Sequence, residues 1–243
     1  MNFCEESGRK RGVGRMVSGR KVILMRKYRR FCKENPLEFT GEQLGRIEAD
    51  IRYPRKGVVS DEYVDFWLWK KGLKSRQEYF AEYVENLFPA AKYQKLLEVG
   101  CGGTARLSKL LTTKGYKMSA MDPQICPESV ETYDISWEKE AFIWGKTDII
   151  KYDGVVAQEP CDATEHIIRE CVAEKKDFII SLCGTAHRPI SGEMPEDLSA
   201  WYRYLEEIGG GSCCLVNSEM IPGYASYIMI GIFQKKELLS QKE

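Results

Sequence analysis

The hydrophobic pattern divides the chain into two regions with different periodicities. Before about residue 90, apolar residues recur at the three- and four-residue spacing of amphipathic helices, as Leu24, Tyr28 and Phe31 do. From Lys95 onward, short apolar runs alternate with amphipathic runs, which is the rhythm of strands followed by helices. The pattern therefore predicts a helical N-terminal region and an α/β domain.

Four helices are predicted in the first region. The first covers Arg20–Lys33 and follows a glycine- and arginine-rich segment, 8–19, that we expect to be flexible. Side chains that can cap the other three precede each of them: Thr40, Ser60, and Ser75 with Glu78 in a capping-box pattern. The region before residue 90 is thus expected to be mostly helical.

Seven strands are predicted in the second region. They are expected at 95–100, 116–123, 140–145, 153–160, 178–184, 212–220 and 226–236. Helices are expected between several of them, with a capping box of Asp162 and Glu165 before one and Pro195 in the first turn of another. Alternation with helices predicts parallel pairing, whereas the short link between the last two strands allows only an antiparallel pair. The predicted fold class is α/β, with a seven-stranded, mostly parallel sheet after an N-terminal helical region.

Composition excludes several classes of protein. The chain has 43% hydrophobic and 30% charged residues, which predicts a packed globular protein. No apolar run approaches the ~18–20 residues of a membrane span, and the N-terminus lacks the apolar segment of a secretory signal. Nine cysteines without a C-x-x-C pair argue against a zinc ribbon and against a thioredoxin-like site. We expect reduced thiols and a cytoplasmic protein.

Positive charge is concentrated near the N-terminus, although the net charge of the chain is zero. Eleven Lys or Arg and no acid lie between Arg9 and Lys33, so the rest of the chain has 25 basic and 36 acidic residues. Such a basic segment is a candidate for binding nucleic acid through phosphate contacts. The alternative is a solvated charged arm, because the acidic remainder would repel a long duplex.

The stretch 96–111, LLEVGCGGTARLSKLL, combines an apolar run, a glycine cluster and an amphipathic run. From Gly100 it fits the pattern G-x-G-x-x-G/A, a turn that brings backbone amides at a helix N-terminus against a ligand. Asp122 follows Gly100 by 22 residues, where an acid would accept hydrogen bonds from ribose hydroxyls. These features fit NAD and S-adenosylmethionine alike. Glu98, beside the turn, would repel a pyrophosphate and suits a ligand that carries an ammonium and a sulfonium group.

The segment E-V-G-C-G-G-T, together with Asp122, resembles the class I S-adenosylmethionine-dependent methyltransferases, and the order of strands after Lys95 is similar. The resemblance covers about the last 150 residues. Thr104 departs from it, because the family often has a third glycine at that place. The resemblance implies a Rossmann-like S-adenosylmethionine-binding domain over 91–243. The helical region, 1–90, would then cover the cofactor and shape the acceptor pocket.

Transferred position by position, the resemblance assigns roles around the cofactor. The methionine part would lie against Glu98, Gly100, Cys101 and Gly102, the ribose against Asp122 and the adenine against Pro123. Asp148, after the third predicted strand, would lie near the adenine amine; the alternative for this residue is a solvated turn. Gln158, at the end of the fourth strand, is expected to face the pocket.

Ligands of open α/β sheets bind outside the carboxyl ends of the strands. Segments 158–165 and 183–189 are therefore expected beside the sulfonium methyl group, with Glu159 and His187 as candidate general bases. The alternative for His187 is a loop histidine that bonds only to backbone. These segments also resemble a methyltransferase subgroup with H-x-C…A-T-D and P-C-C at these places, some members of which act on tRNA; Glu159 replaces its histidine.

A metal site is considered at Cys161, Cys183 and His187. Thiols at strand ends usually only pack, and no close pair of ligands supports a metal, so none is predicted. The predicted function is methyl transfer to a nitrogen or oxygen nucleophile of a small molecule or RNA. The alternative is a non-catalytic module that binds S-adenosylmethionine or RNA on the same fold.

Overall fold

The computed structural model describes residues 13–35, 38–53, 60–221 and 224–233. The chain forms two compact units, Met1–Arg76 and Gln77–Glu243. None of the helices in the described ranges is long and apolar enough to cross a lipid bilayer.

Three helices lie within the described residues of the first unit. Helix α1 spans Val13–Glu34, α2 spans Gly41–Arg52 and α3 spans Asp61–Lys70. Residues 13–19 are helical, so the flexible segment predicted there is wrong; its first five residues, 8–12, lie outside the described residues.

The predicted caps of α2 and α3 are confirmed. Thr40 accepts a hydrogen bond from the Gln43 amide, and the Gln43 side chain accepts one from the Thr40 amide, so α2 begins with a complete capping box. Ser60 accepts from the Tyr63 amide at the start of α3. The three helices share an apolar core formed by Tyr28, Phe31, Phe39, Ile47, Ile51 and Phe66.

The second unit is built on a seven-stranded sheet. Its strands are β1 (Lys95–Val99), β2 (Lys117–Met121), β3 (Ile135–Glu138), β4 (Gly154–Gln158), β5 (Asp177–Ser181), β6 (Cys213–Ile221) and β7 (Tyr224–Gly231). Its helices are α4 (Arg76–Leu87, which begins at the last residue of the first unit), α5 (Arg106–Thr113), α6 (Pro127–Val130), α7 (Thr164–Ala173) and α8 (Leu198–Gly209).

The strand order is β3-β2-β1-β4-β5-β7-β6. Strands β1 to β5 pair in parallel, and β7 pairs antiparallel with both β5 and β6. This confirms the predicted α/β fold with an antiparallel C-terminal pair. The parallel pairing carries the ends of β1, β2 and β4 to one edge of the sheet, where the candidate residues other than Asp148 lie.

The central strands are buried on both faces, as a parallel sheet requires. On one face, Leu96 and Val156 pack with Phe80 of α4 and Leu107 of α5. On the other face, side chains of the sheet pack with α7 and α8, among them Leu97, Val155, Ile180, Ile168 and Trp201. The core thus extends across the whole sheet beneath the candidate site.

The third strand was predicted at 140–145, and this is wrong. The strand is Ile135–Glu138, an edge strand that pairs only with β2 and exposes three of its four residues. An exposed edge strand has no apolar run to reveal it. The apolar residues after Glu140 instead follow the strand, with Phe142 buried against the core as part of a loop.

Two predicted helix starts are also wrong. A single 3₁₀ turn, Cys161–Ala163, precedes α7, and Ala163 occupies its N-cap without a side-chain bond, so the capping box of Asp162 and Glu165 does not form. Helix α8 begins after Asp197, whose carboxylate accepts from the Ala200 amide at 2.7 Å. Pro195 therefore precedes the helix instead of entering its first turn.

Candidate functional site

The glycine loop joins β1 to α5 and takes left-handed backbone angles at Gly100, at Gly102 and at Ala105, the residue before α5. Gly100 has φ +71° and Gly102 has φ +63°, a region that side chains disfavour. A Cβ atom on Gly100 would lie 2.9 Å from both Cα and Cβ of Pro160, in the loop after β4. Gly100 therefore lets two strand ends meet, and a side chain there would push them apart.

Asp122 binds the glycine loop directly. Its Oδ2 atom accepts from the Gly102 amide at 2.9 Å, and its Oδ1 atom accepts from the Gln124 amide at 2.7 Å. The Gly100 amide donates to the Met121 carbonyl at 2.9 Å. The structure thus brings together the loop and the acid 22 residues later, with exposed Pro123 beside them.

Glu98 lies buried beneath the loop, with 3% of its surface exposed. Its Oε2 atom accepts from the Ser108 amide at 2.8 Å and from the Ser108 hydroxyl, which joins β1 to the first turn of α5. Burial raises the pKa of Glu98 to about 7; the Ser108 bonds oppose this shift and the Asp122 carboxylate adds to it.

Cys101 is the second residue of the loop and is largely buried. Its Sγ atom lies 3.4 Å from the Gly102 carbonyl oxygen. Burial raises the pKa of this thiol well above its usual range, and the nearby Glu98 and Asp122 carboxylates raise it further. A neutral Cys101 side chain therefore fills the loop without adding charge.

The described contacts do not join Asp148 to the other candidate residues. Its carboxylate accepts from the Ile150 amide at 2.9 Å, which closes a short turn. The Ile150 carbonyl in turn accepts from Lys176, the residue before β5, at 3.2 Å. This turn therefore lies near the amino ends of the strands, whereas Asp122 and Gln158 lie at carboxyl ends.

Residues 139–140, and not Asp148, follow β3 beside Asp122. The Asp122 amide donates to the Glu138 carbonyl at 3.2 Å, so Lys139 and Glu140 leave the sheet next to Asp122. The sequence reasoning missed this segment because it placed the third strand at 140–145. A polar strand at a sheet edge leaves no periodic signal that would have found it.

The loop after β4 is held in an unusual conformation. Gln158, half-buried, pairs with Ser181, and the Glu159 amide donates to the Ser181 carbonyl at 2.8 Å. Glu159 and Cys161 have φ of +54° and +51°, although neither is glycine. Each such residue costs of order 1–3 kcal/mol, and such strain clusters at binding and catalytic sites.

His187 contacts side chains on both of its ring nitrogens. Its Nε2 atom lies 2.9 Å from Cys183 Sγ, and its Nδ1 atom lies 3.0 Å from Asp162 Oδ1. Cys161, Cys183 and His187 have ligating atoms that all lie within 4.8 Å of one another. The histidine therefore does more than bond to backbone.

Cys183 and His187 both have shifted pKa values. Hydrogen bonds from Cys161, Thr185 and His187 lower the pKa of the Cys183 thiol to about 5, against the opposing effect of burial. Burial lowers the pKa of His187, but its bonds to Cys183 and Asp162 outweigh this and raise it overall. The arrangement thus favours a thiolate beside an imidazolium.

A buried carboxylate anchors the loop after β5. Glu165 of α7 accepts from Arg169 at 2.7 Å, from the Tyr204 hydroxyl at 2.5 Å and from the Ile190 amide at 2.7 Å. The Tyr202 hydroxyl donates to the Cys183 carbonyl at 3.2 Å. The sequence showed Glu165 only as a helix-capping residue, because partners 25 to 39 residues away leave no local pattern.

Comparisons with known proteins find similar solved structures among methyltransferases. No family model and no curated protein matches the chain. A TehB-like S-adenosylmethionine-dependent methyltransferase from Corynebacterium glutamicum ATCC 13032 is 16% identical, over 71% of this chain and 97% of that one, with TM-score 0.45. Magnesium protoporphyrin IX methyltransferase from Synechocystis PCC 6803, solved with the cofactor bound, is 13% identical over 84% and 96%, with TM-score 0.47. A human methyltransferase 10 domain containing protein is 14% identical over 65% and 80%, with TM-score 0.46.

Similarity of this degree carries no argument about activity. The sheet itself, with five parallel strands and β7 inserted antiparallel between β5 and β6, is the deciding observation. The chain has the class I methyltransferase fold. Its glycine loop lies at the carboxyl edge of that sheet, where ligands of such folds bind.

The pKa of Glu98 generates a prediction about stability. An unfolded glutamate releases its proton near pH 4.5 and folded Glu98 near pH 7, so the folded state holds more protons between these values. The unfolding free energy should therefore fall by about 3 kcal/mol as the pH rises through this window. Glu98→Gln should remove this part of the pH dependence, as measured by urea unfolding between pH 5 and pH 8. Glu128→Gln, at an exposed glutamate, is the control. Parallel curves for the wild type and Glu98→Gln would contradict the assignment.

Proposed function

We propose that the protein binds S-adenosylmethionine and transfers its methyl group to a nitrogen or oxygen nucleophile. The observation that carries this proposal is the pair of carboxylates at the glycine loop. Glu98 lies buried beneath the loop, and Asp122 accepts from its Gly102 amide. Glu98 so placed would repel a pyrophosphate and matches a sulfonium and an ammonium, whereas Asp122 matches ribose hydroxyls.

In this proposal the loop residues Glu98, Gly100, Cys101 and Gly102 hold the methionine part. Asp122 binds the ribose and Pro123 lies along the adenine, with Gln158 at the inner wall of the pocket. The segment 139–140 after β3 binds the adenine amine in place of Asp148, because Asp148 lies in a turn near the amino ends of the strands. Methyl transfer is an in-line displacement, so positioning and exclusion of water supply most of the catalysis.

A general base is required only when the acceptor keeps a proton at neutral pH. Glu159 is the first candidate, because the strained backbone at the end of β4 fixes its position. His187 is the second, because its Nε2 atom contacts Cys183 and carries a proton in the favoured imidazolium, so it can accept a proton only after that one has left. Both residues extend from the carboxyl edge of the sheet rather than from the glycine loop.

RNA is the acceptor that the surface of α1 favours. Among the side chains of this helix that the structure describes, six cations are exposed: Lys21, Arg26, Lys27, Arg29, Arg30 and Lys33. Such a row of cations suits phosphates, whose neutralisation supplies much of the affinity for nucleic acid. An assay with labelled S-adenosylmethionine on RNA and on metabolite extracts separates RNA from a small-molecule acceptor. Cofactor binding without any transfer would leave the non-catalytic module as the function.

The cofactor is tested by calorimetry with S-adenosylmethionine, S-adenosylhomocysteine and NAD. We expect micromolar affinity for the first two and none for NAD. Asp122→Ala should weaken binding by ~1.5–3 kcal/mol, because hydrogen bonds to a charged acceptor are lost. Gly100→Val should abolish binding in a folded protein, since its side chain would meet Pro160.

The control for Asp122→Ala is Asp153→Ala. Asp153 also accepts from a backbone amide, that of Lys95, but at the amino end of β4. It should bind the cofactor like the wild type. An equal loss in both variants, or preferential binding of NAD, would contradict the proposal.

The base is tested by the kinetics of Glu159→Gln and His187→Asn. If either side chain accepts a proton, its variant should lower the methyl-transfer rate by ~10²–10⁴-fold with little change in cofactor affinity. If it only positions the acceptor, the loss should be smaller and appear mainly in KM. His166→Asn is the control, because His166 accepts from the Trp144 amide and does not contact Cys161, Cys183 or Asp162 in the contacts that the structure describes. Wild-type kinetics in both variants would exclude a base at these positions.

The RNA acceptor is tested by replacing Arg26, Lys27 and Arg29 with glutamine. RNA affinity should fall, and the slope of log affinity against log salt should flatten by ~0.7–0.9 for each phosphate contact removed. The control replaces exposed Lys117, Lys146 and Lys175, which removes equal charge from the sheet unit. An unchanged salt slope in the α1 variant would favour the small-molecule acceptor.

A further inference from the structure

Two thiols and an imidazole converge at the carboxyl ends of β4 and β5. Cys161 follows β4 within the strained loop, and Cys183 and His187 follow β5. We call these three residues the Cys–Cys–His cluster. Their ligating atoms all lie within 4.8 Å of one another, and the part of the chain that the structure describes contains no other such group of three.

We propose that the Cys–Cys–His cluster binds a zinc ion. Zinc holds thiolate sulfur at ~2.3 Å and imidazole nitrogen at ~2.0–2.1 Å, so the ligand atoms of a tetrahedral site lie ~3.4–3.8 Å apart. The 2.9 Å between His187 Nε2 and Cys183 Sγ and the 4.8 Å limit on all three atoms bracket these values. Side-chain movements of about an ångström bring the three ligand atoms to these separations.

The imidazole is already oriented as a ligand. Asp162 Oδ1 lies 3.0 Å from His187 Nδ1, so this nitrogen keeps its proton, and Nε2 offers its lone pair to the metal once its own proton has been released to solvent on binding. A carboxylate behind a ligating histidine is the arrangement that fixes ring orientation in zinc sites. Asp162 therefore acts as a positioning residue, and it directly follows the ligand Cys161.

Both loops that supply ligands are anchored by bonds outside the cluster. The Tyr202 hydroxyl holds the Cys183 carbonyl, and Glu165 holds the Ile190 amide a few residues farther along. On the other side, Pro160 packs where a Gly100 side chain would lie, which fixes the residue before Cys161. The ligands therefore extend from positioned backbone, and little ordering is required when the metal binds.

The composition of the cluster selects the metal and leaves one position open. Thiolate ligands favour zinc over magnesium or calcium, which prefer oxygen. Three protein ligands leave the fourth tetrahedral position for water or a substrate atom, as in catalytic zinc sites. Cys161 is exposed, so this position faces solvent. The site requires neither the cofactor nor methyl transfer. It excludes His187 as a general base, because both roles use Nε2.

The proposal is tested by metal content of the purified full chain, kept reduced with a phosphine. Mass spectrometry should find about one zinc per chain, and replacement by cobalt should produce thiolate charge-transfer and tetrahedral d–d absorption bands. Cys161→Ser, Cys183→Ser and His187→Asn should each lose most of the metal. Cys126→Ser and His166→Asn, at a loop thiol and at the other histidine of the chain, should keep it. Asp162→Asn should keep the stoichiometry at saturating zinc but weaken binding ~10–100-fold.

Circular dichroism and calorimetry with S-adenosylmethionine, on the same samples, separate metal loss from unfolding and from failure of the proposed cofactor. The proposal is overturned if the reduced wild type takes up no zinc and cobalt gives no thiolate band. It is also overturned if Cys161→Ser and Cys183→Ser retain the wild-type zinc content. A third contrary result, in a sample freed of the phosphine and exposed to air as the oxidant, is a Cys161–Cys183 disulfide, two hydrogens lighter by intact mass, that forms while zinc is in excess.

Discussion

The close approach of two strand ends, at Gly100 and Pro160, is the constraint on which the candidate site depends. Any Cβ atom on residue 100 would lie 2.9 Å from the Pro160 backbone, and the residue also has a left-handed φ. Because this contact is so short, the glycine loop and the loop after β4 take up a fixed mutual position. The proposed cofactor end and the proposed acceptor end are therefore parts of one packed unit.

Electrostatics then decide what that unit can bind. The glycine loop offers backbone amides, yet one of them already bonds to Asp122, and Glu98 lies buried below. A ligand that brings a pyrophosphate to this loop would have to overcome the poorly solvated Glu98 carboxylate. A ligand with a positive centre and neutral hydroxyls meets no such cost. This is the physical reason for proposing S-adenosylmethionine rather than a dinucleotide.

The proposed acceptor end depends instead on strained backbone angles and on hydrogen-bond networks between loops. Glu159 and Cys161 keep left-handed backbone angles that only the surrounding packing can maintain. The buried Glu165 of α7 accepts from the Ile190 amide in the loop after β5 and from the Tyr204 hydroxyl of α8. It therefore joins that loop to α8. These anchors place the ligating atoms of Cys161, Cys183 and His187 within 4.8 Å of one another. In the zinc proposal, the strained loop supplies one of the three ligands.

The sequence alone determined the features that depend on neighbours along the chain. The periodicity predicted the helices other than α6 and six of the seven strands, the short link between the last two strands predicted their antiparallel pairing, and the glycine pattern located the loop between β1 and α5. Local side-chain chemistry predicted the caps at Thr40 and Ser60. Each of these features is specified within a few residues by backbone propensity or by burial of one face.

Only the tertiary structure decided what depends on register between strands. The edge strand β3 has no apolar run, so only its pairing with β2 reveals it. The segment that leaves the sheet beside Asp122 is therefore 139–140, and Asp148 is not part of it. Cys161 and Cys183 lie 22 residues apart in sequence, and parallel pairing of β4 with β5 brings their thiols together. Hydrogen bonding between strands sets such distances, and a one-dimensional pattern does not contain them.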